Sequence, residues 1–392
     1  MANTLKFGNG QWATKVGSTL AYNDEGGNFK PLPFNFTRST GGTRVNKNGL
    51  IEMVTNNKPR IDFLNDSNGA LLLEPSRTNL VTYSEQFDNA AWGKLASGTA
   101  SVPVVTSNQG ESPEGVNNAS KVVFDRGAGT TSTDFSRLYF SSGSAPASAS
   151  IYIKSFDGTH YDMYLVCGNA FNAISVTNEW QRFDVTELTT GSNIQLRLQG
   201  NLGSESTAEV LVFGAQLEAG SYPTSYIPTQ GAIGTRVAET CSQTPPSWII
   251  GQTEGTIYAD VNFVGVTEAI TNQIFFVREQ GSNNGYLFAG FYQGKLNCGM
   301  RVSGSLLFDT FFSGVLTKGR YKIAVAYKSG DTKIYINGIQ TGFQNNSFGV
   351  NNFAQIFLTG SAGTNQLGDI NRNFKLYNTR LTDQELINLT TI

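Results

Sequence analysis

The chain has 392 residues, with 28 lysines and arginines, 30 aspartates and glutamates and a formal net charge of −2. This length predicts two or three domains, and the lack of a basic excess argues against binding to nucleic acid through its phosphates. No apolar run approaches the ~20 residues of a membrane-spanning helix, and the first residues lack the apolar core of a secretory signal peptide.

The composition favours an all-β protein. Charged residues make up 15% of the chain, and 43 residues are glycine. Such a mixture suits short strands joined by tight turns, whereas long surface helices need more Glu, Lys and Arg. The cysteines Cys167, Cys241 and Cys298 lie far apart and show no metal-type spacing, so we expect buried free thiols.

Residues 1–36 carry aromatic side chains spread thinly among Gly, Asn and Lys. Their spacing fits neither a helix nor long alternating strands. One interpretation is a mobile terminus. The other, which we favour because disordered tails are poor in aromatics, is an anchoring arm that orders its aromatic residues against a partner. The anchoring candidates are Phe7, Trp12, Tyr22, Phe29, Phe34 and Phe36.

Residues 37–80 read as a compact β-ribbon module. Asn48 and Gly49 predict a hairpin turn between two short strands, and Asn68 and Gly69 predict another. The module is too small to form a domain alone.

Several motifs recur in order along the first 240 residues. They occupy positions 37–38, 43–52, 59–63, 71–80, 83–92, 214–218 and 223–228. Together they closely resemble the N-terminal module of virion appendage proteins, the head fibres and tail fibres of tailed phages, notably crAss-like phages and phages of Bacteroidetes. The resemblance implies a structural virion protein that assembles in the host cytoplasm, contacts capsid or tail proteins and forms a homo-oligomer, most often a trimer.

Residues 81–228 predict an antiparallel β-sandwich. Its candidate strands are 100–105, 121–124, 137–140, 147–155, 161–165, 171–176, 180–185, 193–199 and 209–217. This part resembles jelly-roll carbohydrate-binding modules. Pro223 and Pro228 interrupt any regular ladder after the last strand, which predicts a linker over residues 229–244.

Residues 245–392 predict a second sandwich. Asn337 and Gly338 give the strongest hairpin signal in the chain. Thr382 and Glu385 form a capping-box pattern, so the chain is expected to end in one short helix. The span resembles the concanavalin A-like (laminin-G-like) sandwich, a likeness of fold that implies no single activity.

Catalytic and metal patterns are weak. His160, the only histidine, lies in a turn pattern without a nucleophile elbow, so we expect an exposed turn residue. Three dispersed cysteines and one histidine do not make a usual zinc site. No cofactor is predicted. Sandwich modules of both kinds often hold structural Ca²⁺, but no EF-hand-type loop is present and no calcium site is assigned.

Sugar binding needs aromatic platforms and planar polar side chains. Tyr139, Tyr161, Asn172 and Gln195 lie on candidate strands of the first sandwich and are the candidate glycan-binding residues, with a core position equally open for Tyr139 and Tyr161. Strand alternation places Tyr161 and Tyr164 on opposite faces. Trp180, and with it Tyr164, is expected in the core because of the area that a tryptophan buries.

The hypothesis that follows is a non-enzymatic virion fibre or spike that is anchored by its N-terminus and presents glycan-adhesive sandwiches to the host surface. Two alternatives stay open. One is an appendage enzyme that cuts a polysaccharide with paired carboxylates, and the other is an architectural decoration without a ligand.

Overall fold

The structure is a computed structural model that describes residues 4–25, 28–143, 147–190, 193–265, 272–359 and 369–392. This part contains 31 strands and one helix, and all the pairings between strands described below are antiparallel, which confirms the predicted all-β class. The first strands are β1 (Leu5–Gly8), β2 (Thr14–Lys15), β3 (Ser18–Glu25), β4 (Asn28–Thr37), β5 (Gly42–Val45), β6 (Ile51–Val54), β7 (Arg60–Asp62), β8 (Ala70–Leu73), β9 (Arg77–Asn79), β10 (Gly93–Ser97), β11 (Ser101–Gly110), β12 (Ala119–Asp125), β13 (Phe135–Ser141), β14 (Ala147–Ser155), β15 (Tyr161–Cys167) and β16 (Ala170–Val176). The others are β17 (Gln181–Glu187), β18 (Asn193–Gln199), β19 (Thr207–Glu218), β20 (Gly234–Arg236), β21 (Thr240–Gln243), β22 (Glu254–Phe263), β23 (Asn272–Glu279), β24 (Tyr286–Tyr292), β25 (Lys295–Val302), β26 (Ser305–Phe311), β27 (Gly319–Lys328), β28 (Thr332–Ile336), β29 (Ile339–Gln344), β30 (Phe353–Phe357), β31 (Asp369–Tyr377) and the helix α1 (Asp383–Thr390).

The chain forms two compact units. The first unit contains Met1–Lys47, Met53–Ser76 and Val237–Ile392, and the second contains Asn48–Glu52 and Arg77–Arg236. This division differs from the predicted one, in which 1–36 was an arm, 37–80 a ribbon, 81–228 and 245–392 the sandwiches and 229–244 a linker. The N-terminal and C-terminal segments share one unit, and the predicted linker is divided between the two.

The N-terminal strands complete the sheet of the first unit. The order of its hydrogen-bonded neighbours is β26-β25-β24-β23-β30-β21-β4-β3-β1-β31-β22-β27-β28-β29. Strand β1 pairs with β31, with Leu5 opposite Leu376 and Phe7 opposite Phe374. Strand β4 pairs with β21, and β21 pairs with β30. The segment is therefore extended, as predicted, but its backbone hydrogen bonds go to strands of the same chain.

Three of the six predicted anchoring aromatics are core residues. The exposed fraction is 2% for Phe7 and 0% for Phe34 and Phe36. The Phe7 ring lies 5.3 Å from that of Phe34 and 5.4 Å from that of Trp12. The prediction that these three bind a partner is wrong, because burial inside the unit leaves no face for one. Residues 1–3 and 26–27 of the predicted arm lie outside the described residues.

Local signals in the C-terminal half are confirmed. Asn337 and Gly338 join β28 to β29 with φ values of 49° and 82°, the left-handed pair that a type I′ turn needs. The Thr382 side chain accepts from the Glu385 backbone and the Glu385 carboxylate accepts from the Thr382 backbone, so the predicted capping box starts α1.

In the described residues, no helix has the length and hydrophobicity required to span a bilayer.

The second unit is a sandwich of two five-stranded sheets. One sheet has the order β10-β13-β18-β15-β16 and the other β11-β12-β19-β14-β17. Leu138, Leu165 and Leu196 of the first sheet share one apolar core with Val122 and Val212 of the second.

The segment after β19 is part of this unit. The Gln216 Oε1 atom accepts from the Ile227 amide at 2.6 Å, and Asn79 Nδ2 donates to the carbonyls of Ala215 and Ile227. Strand β20 then pairs with β9. Pro223 and Pro228 prevent a regular ladder, but buried side-chain amides replace its hydrogen bonds. Residues 229–236 belong to the second unit and end in β20, so the linker prediction is wrong there, although residues 230–233 are exposed.

Candidate binding face

The first sheet of the second unit has an outward face that carries two arginines among aromatic rings. Along β13 and β18, outward residues alternate with the buried residues Leu138 and Leu196. We call this surface the arginine face. It consists of Phe135, Arg137, Tyr139, Tyr164, Phe171, Gln195 and Arg197.

The strand register brings these residues into two rows. In one row Arg137 lies opposite Arg197, which lies opposite Tyr164. In the next row Tyr139 lies opposite Gln195. Residues directly opposite in antiparallel strands have Cβ atoms about 4.5–5.5 Å apart, so the two guanidinium groups start from neighbouring positions.

Gln195 joins the two arginines. Its Oε1 accepts from Arg137 Nη1 at 3.1 Å and from Arg197 Nε at 2.9 Å, and Arg197 Nη2 donates to the same atom. Its Nε2 donates to Asn193 Oδ1 at 2.8 Å. The Gln195 side chain is held on both sides and is only 7% exposed.

The two guanidinium groups share a neutral acceptor. Among the residues that the structure describes, no carboxylate forms an ion pair with Arg137 or Arg197. Burial, and then the charge of Arg137, lower the pKa of Arg197 to about 10, which leaves Arg197 charged at neutral pH. The Arg137 Nε atom is buried and has no hydrogen-bond partner in the described part of the chain. Within the described ranges, no carboxylate therefore compensates this pair of charges.

Aromatic rings surround the guanidinium groups. Arg197 lies 5.1 Å from the ring centres of Phe135 and Phe171, and Arg137 lies 4.8 Å from that of Tyr139. These distances are within the range of cation–π contacts. The Tyr164 and Phe171 rings meet edge to face at 5.5 Å.

The Tyr139 ring packs against the neighbouring strand β10. It is opposite Gly93 of β10, and a Cβ atom added at Gly93 would lie 2.3 Å from Tyr139 Cζ. The missing side chain of Gly93 therefore makes the space that the ring occupies. The Tyr139 hydroxyl forms no hydrogen bond to any residue that the structure describes.

The structure brings together two of the four predicted glycan-binding residues. Tyr139 and Gln195 lie on the arginine face, but Tyr161 and Asn172 face inward. Tyr161 is 4% exposed and donates to Asp157 Oδ2 at 2.8 Å, and Asn172 donates to the Asp184 carbonyl at 2.8 Å. These two candidates therefore do not belong to the arginine face. The reason is strand alternation: Tyr161 shares its face with the buried Met163.

Sequence reasoning missed the arginines. The signal available was alternation, since Arg197 stands between the buried Leu196 and Leu198, and Arg137 stands between the buried Ser136 and Leu138. The expected core positions of Trp180 and Tyr164 are also wrong, because both are half-buried. Trp180 donates to the Glu111 carbonyl at 3.1 Å.

The sequence predictions for the histidine and for the three cysteines are confirmed. His160 is exposed just before β15, and the three cysteines are free and buried. No group of three or more His, Cys, Asp and Glu residues suited to a metal ion occurs within the described ranges.

The first unit has an open groove of about 460 Å³ near its N-terminus. Trp12, Tyr22 and Phe29, the other three predicted anchoring residues, line it together with Lys6. Trp12 is fixed by hydrogen bonds from Nε1 to the carbonyls of Asn68 and Gly69, both 3.1 Å long. The Lys6 ammonium lies 3.3 Å from the centre of the Phe29 ring.

No protein-family model matches this chain, and no curated protein matches it. Similar solved structures include the carbohydrate-binding module CBM40 of Ruminococcus gnavus IT-sialidase bound to α2,6-sialyllactose, with 17% identity, 36% of this chain and 84% of that chain covered and a TM-score of 0.31. Domain 4 of AbnA, a GH43 extracellular arabinanase from Geobacillus stearothermophilus in complex with arabinotriose, has 16% identity, covers 43% and 82% of the two chains and has a TM-score of 0.32. Trypanosoma rangeli sialidase in complex with the inhibitor DANA has 10% identity, covers 95% and 65% and has a TM-score of 0.31. At these low TM-scores, the function of this chain has to be argued from its own residues.

Proposed function

We propose that this chain is a non-enzymatic glycan-binding protein and that the arginine face is its glycan site. The observation that carries the proposal is the placement of Tyr139, whose half-buried ring packs against Gly93 next to Gln195 and lies 4.8 Å from the Arg137 guanidinium. The exposed part of an aromatic ring offers an apolar surface for the C–H groups of a sugar. The neighbouring amide and guanidinium groups supply planar donors for its hydroxyls.

Binding is favoured over hydrolysis at this face. Glycosidases use a pair of carboxyl groups about 5 to 9.5 Å apart. Within the five strands of this sheet as the structure describes them, Asp162 is the only carboxylate. The described strands of this sheet therefore supply one carboxyl group, whereas a glycosidase needs two.

The proposal is tested with the full chain on an immobilised glycan array. The Y139A variant is expected to weaken binding about tenfold or more, since stacking and hydrogen bonding at one aromatic residue contribute about 1–2 kcal/mol. Y152A is the matched control, because Tyr152 lies in the second sheet of the same unit and also carries an arginine, Arg182, 5.4 Å from its ring centre. Equal loss in both variants, or no glycan retained by the wild type, would contradict the proposal.

We also propose that the glycan-binding chain is a phage virion appendage, a head fibre or tail fibre. The support is the ordered set of motifs in residues 1–240 and, in the first unit, the groove lined by Trp12, Tyr22 and Phe29, which offers a surface for a capsid or tail protein. Many copies on one particle would turn weak single-site binding into avidity.

The virion role is tested by electron microscopy of intact particles with an antibody against residues 245–392. Label that projects from the particle is expected, and its position distinguishes head from tail. Particles without label would contradict the virion role and leave glycan binding to be judged by the array. Light scattering of the purified chain measures whether it is the trimer that the resemblance implies.

A further inference from the structure

We propose, resting on the proposed glycan-binding function, that the ligand is an acidic glycan whose anionic group, a carboxylate or a sulfate, is held between Arg137 and Arg197.

The first step concerns charge. Two guanidinium groups lie on directly opposite residues of β13 and β18, and like charges in that position destabilise a sheet. The group that they share, Gln195 Oε1, is neutral. An anion bound between them would supply the charge that the described residues of the chain do not supply.

The second step concerns hydrogen bonds. A guanidinium has five N–H donors in a planar fork. Arg137 directs one of its nitrogens to Gln195, and Arg197 directs two, so most donors of the pair have no partner in the described part of the chain. Carboxylate and sulfate oxygens match this fork geometry and accept charge-assisted hydrogen bonds, which are about twice as strong as neutral ones.

The third step concerns the surroundings. The Phe135 and Phe171 ring centres each lie 5.1 Å from the Arg197 guanidinium, and Arg197 is half-buried. Electrostatic attraction is stronger where the local dielectric is lower. An anion at this position is therefore bound more strongly than one beside a fully solvated arginine.

The aromatic platform favours a saccharide over an acidic peptide. The Tyr139 ring centre lies 4.8 Å from the Arg137 guanidinium, so a ligand bound at the arginine pair also lies beside this ring. A pyranose that carries a carboxylate or sulfate offers a flat C–H face and an anion at one end, in the order in which ring and guanidinium lie on the face.

The second sheet provides a matched control. Arg182 is also half-buried, lies over a tyrosine, Tyr152, and has a buried Nε atom without a partner in the described residues. Arg182 differs because no second arginine lies opposite it in the sheet. The residue opposite is Tyr152, and Arg182 Nη2 donates to Ser150 Oγ at 2.9 Å. R182Q thus removes the same charge from the same unit but leaves the arginine pair intact.

The experiment uses the full chain on an array that carries uronate, other carboxylated and sulfated glycans, each beside its methyl-esterified or desulfated form. We expect an acidic member to bind at least about tenfold more tightly than its neutral form, because charge-assisted hydrogen bonds are about twice as strong as neutral ones. R137Q and R197Q are each expected to remove this preference, whereas R182Q leaves it within about twofold. R197K, which keeps the charge but loses the fork, is expected to retain part of it. Whether the carboxylated or the sulfated glycans bind more tightly identifies the anionic group.

Three results would overturn the inference. Equal binding of acidic and neutral forms would do so while leaving the proposed glycan function in place, and binding to no glycan would remove both. Equally tight binding of poly-glutamate would show that the pair recognises anions without a sugar. Circular dichroism of each variant establishes that it is folded. If R197Q does not fold, the acidic preference of R197K tests the role of Arg197 instead.

Discussion

Arg60 and Glu239 form a bidentate ion pair inside the first unit, with Nε–Oε1 and Nη2–Oε2 distances of 2.7 Å and no exposed side-chain surface on either residue. Arg38 Nη1 also donates to Glu239 Oε1 at 2.8 Å, and Arg60 Nη2 donates to Glu74 Oε2 at 2.8 Å. Burial alone lowers the pKa of Arg60, but the two carboxylates outweigh it and hold that pKa above its usual value. The pair thus connects the ribbon segment to the residues that follow the second unit.

Replacing Glu239 with Gln is expected to destabilise the first unit by about 3–5 kcal/mol, because two buried guanidinium groups lose a charged partner. Hydrogen exchange of peptides from β22 and β31 measures the effect in that unit alone. The control is E254Q, which breaks the partly exposed 3.1 Å pair with Lys328 and should cost less than about 1 kcal/mol. Similar losses in both variants would contradict a special role for the buried cluster.

The N-terminal strands are expected to be essential to the first unit. Phe7→Ala should cost about 3–5 kcal/mol, because the ring is 2% exposed and packs against Phe34 and Trp12. Urea unfolding with proteolysis of residues 1–37 as the probe measures it. Phe29→Ala is the control, since Phe29 is 53% exposed and should change stability by less than about 1 kcal/mol. A freely mobile arm would give two variants indistinguishable from the wild type.

The sequence supports predictions of local structure better than of pairing between distant strands. The Asn337–Gly338 turn and the Thr382 capping box need only neighbouring residues, and both are confirmed. The place of Phe7 depends on β1 pairing with β31, more than 360 residues away along the chain. Spacing within residues 1–36 carries no information about that partner, which is why the segment resembled an arm.

The candidate site was also predicted only as far as local sequence patterns allow. Alternation placed Tyr161 and Tyr164 on opposite faces, and this is confirmed, but it did not say which face is inward. Met163 and Leu165, on the side of Tyr161, were the available sign of the core. The meeting of Arg137 with Arg197 could not be predicted, because β13 and β18 are adjacent in the sheet but separated by four strands in the chain.

The three cysteines are expected to be unreactive in the folded chain. Burial, and then the charge of Glu187, raise the pKa of Cys167 to about 11, and burial also raises the pKa of Cys241 and Cys298. Thiolate is the reactive form, so a thiol reagent at pH 8 should label none of them in native protein and all three in denaturant. Rapid labelling of native protein would contradict the burial that the structure assigns.

Removing one of the paired arginines is expected to stabilise the second unit in the absence of a ligand. R197Q relieves the repulsion between directly opposite like charges, and Gln195 Oε1 keeps its hydrogen bond from Arg137. We expect the free energy of unfolding to rise by about 0.5 kcal/mol at low salt, a value that allows for solvent screening of half-buried groups, and the gain to shrink in 1 M salt. R182Q, which has no like charge opposite, should give no gain. Urea unfolding with hydrogen exchange of β13 and β18 peptides compares the variants. A loss of stability specific to R197Q would contradict the prediction, because it would mean that the favourable contacts of the Arg197 guanidinium outweigh its repulsion by Arg137.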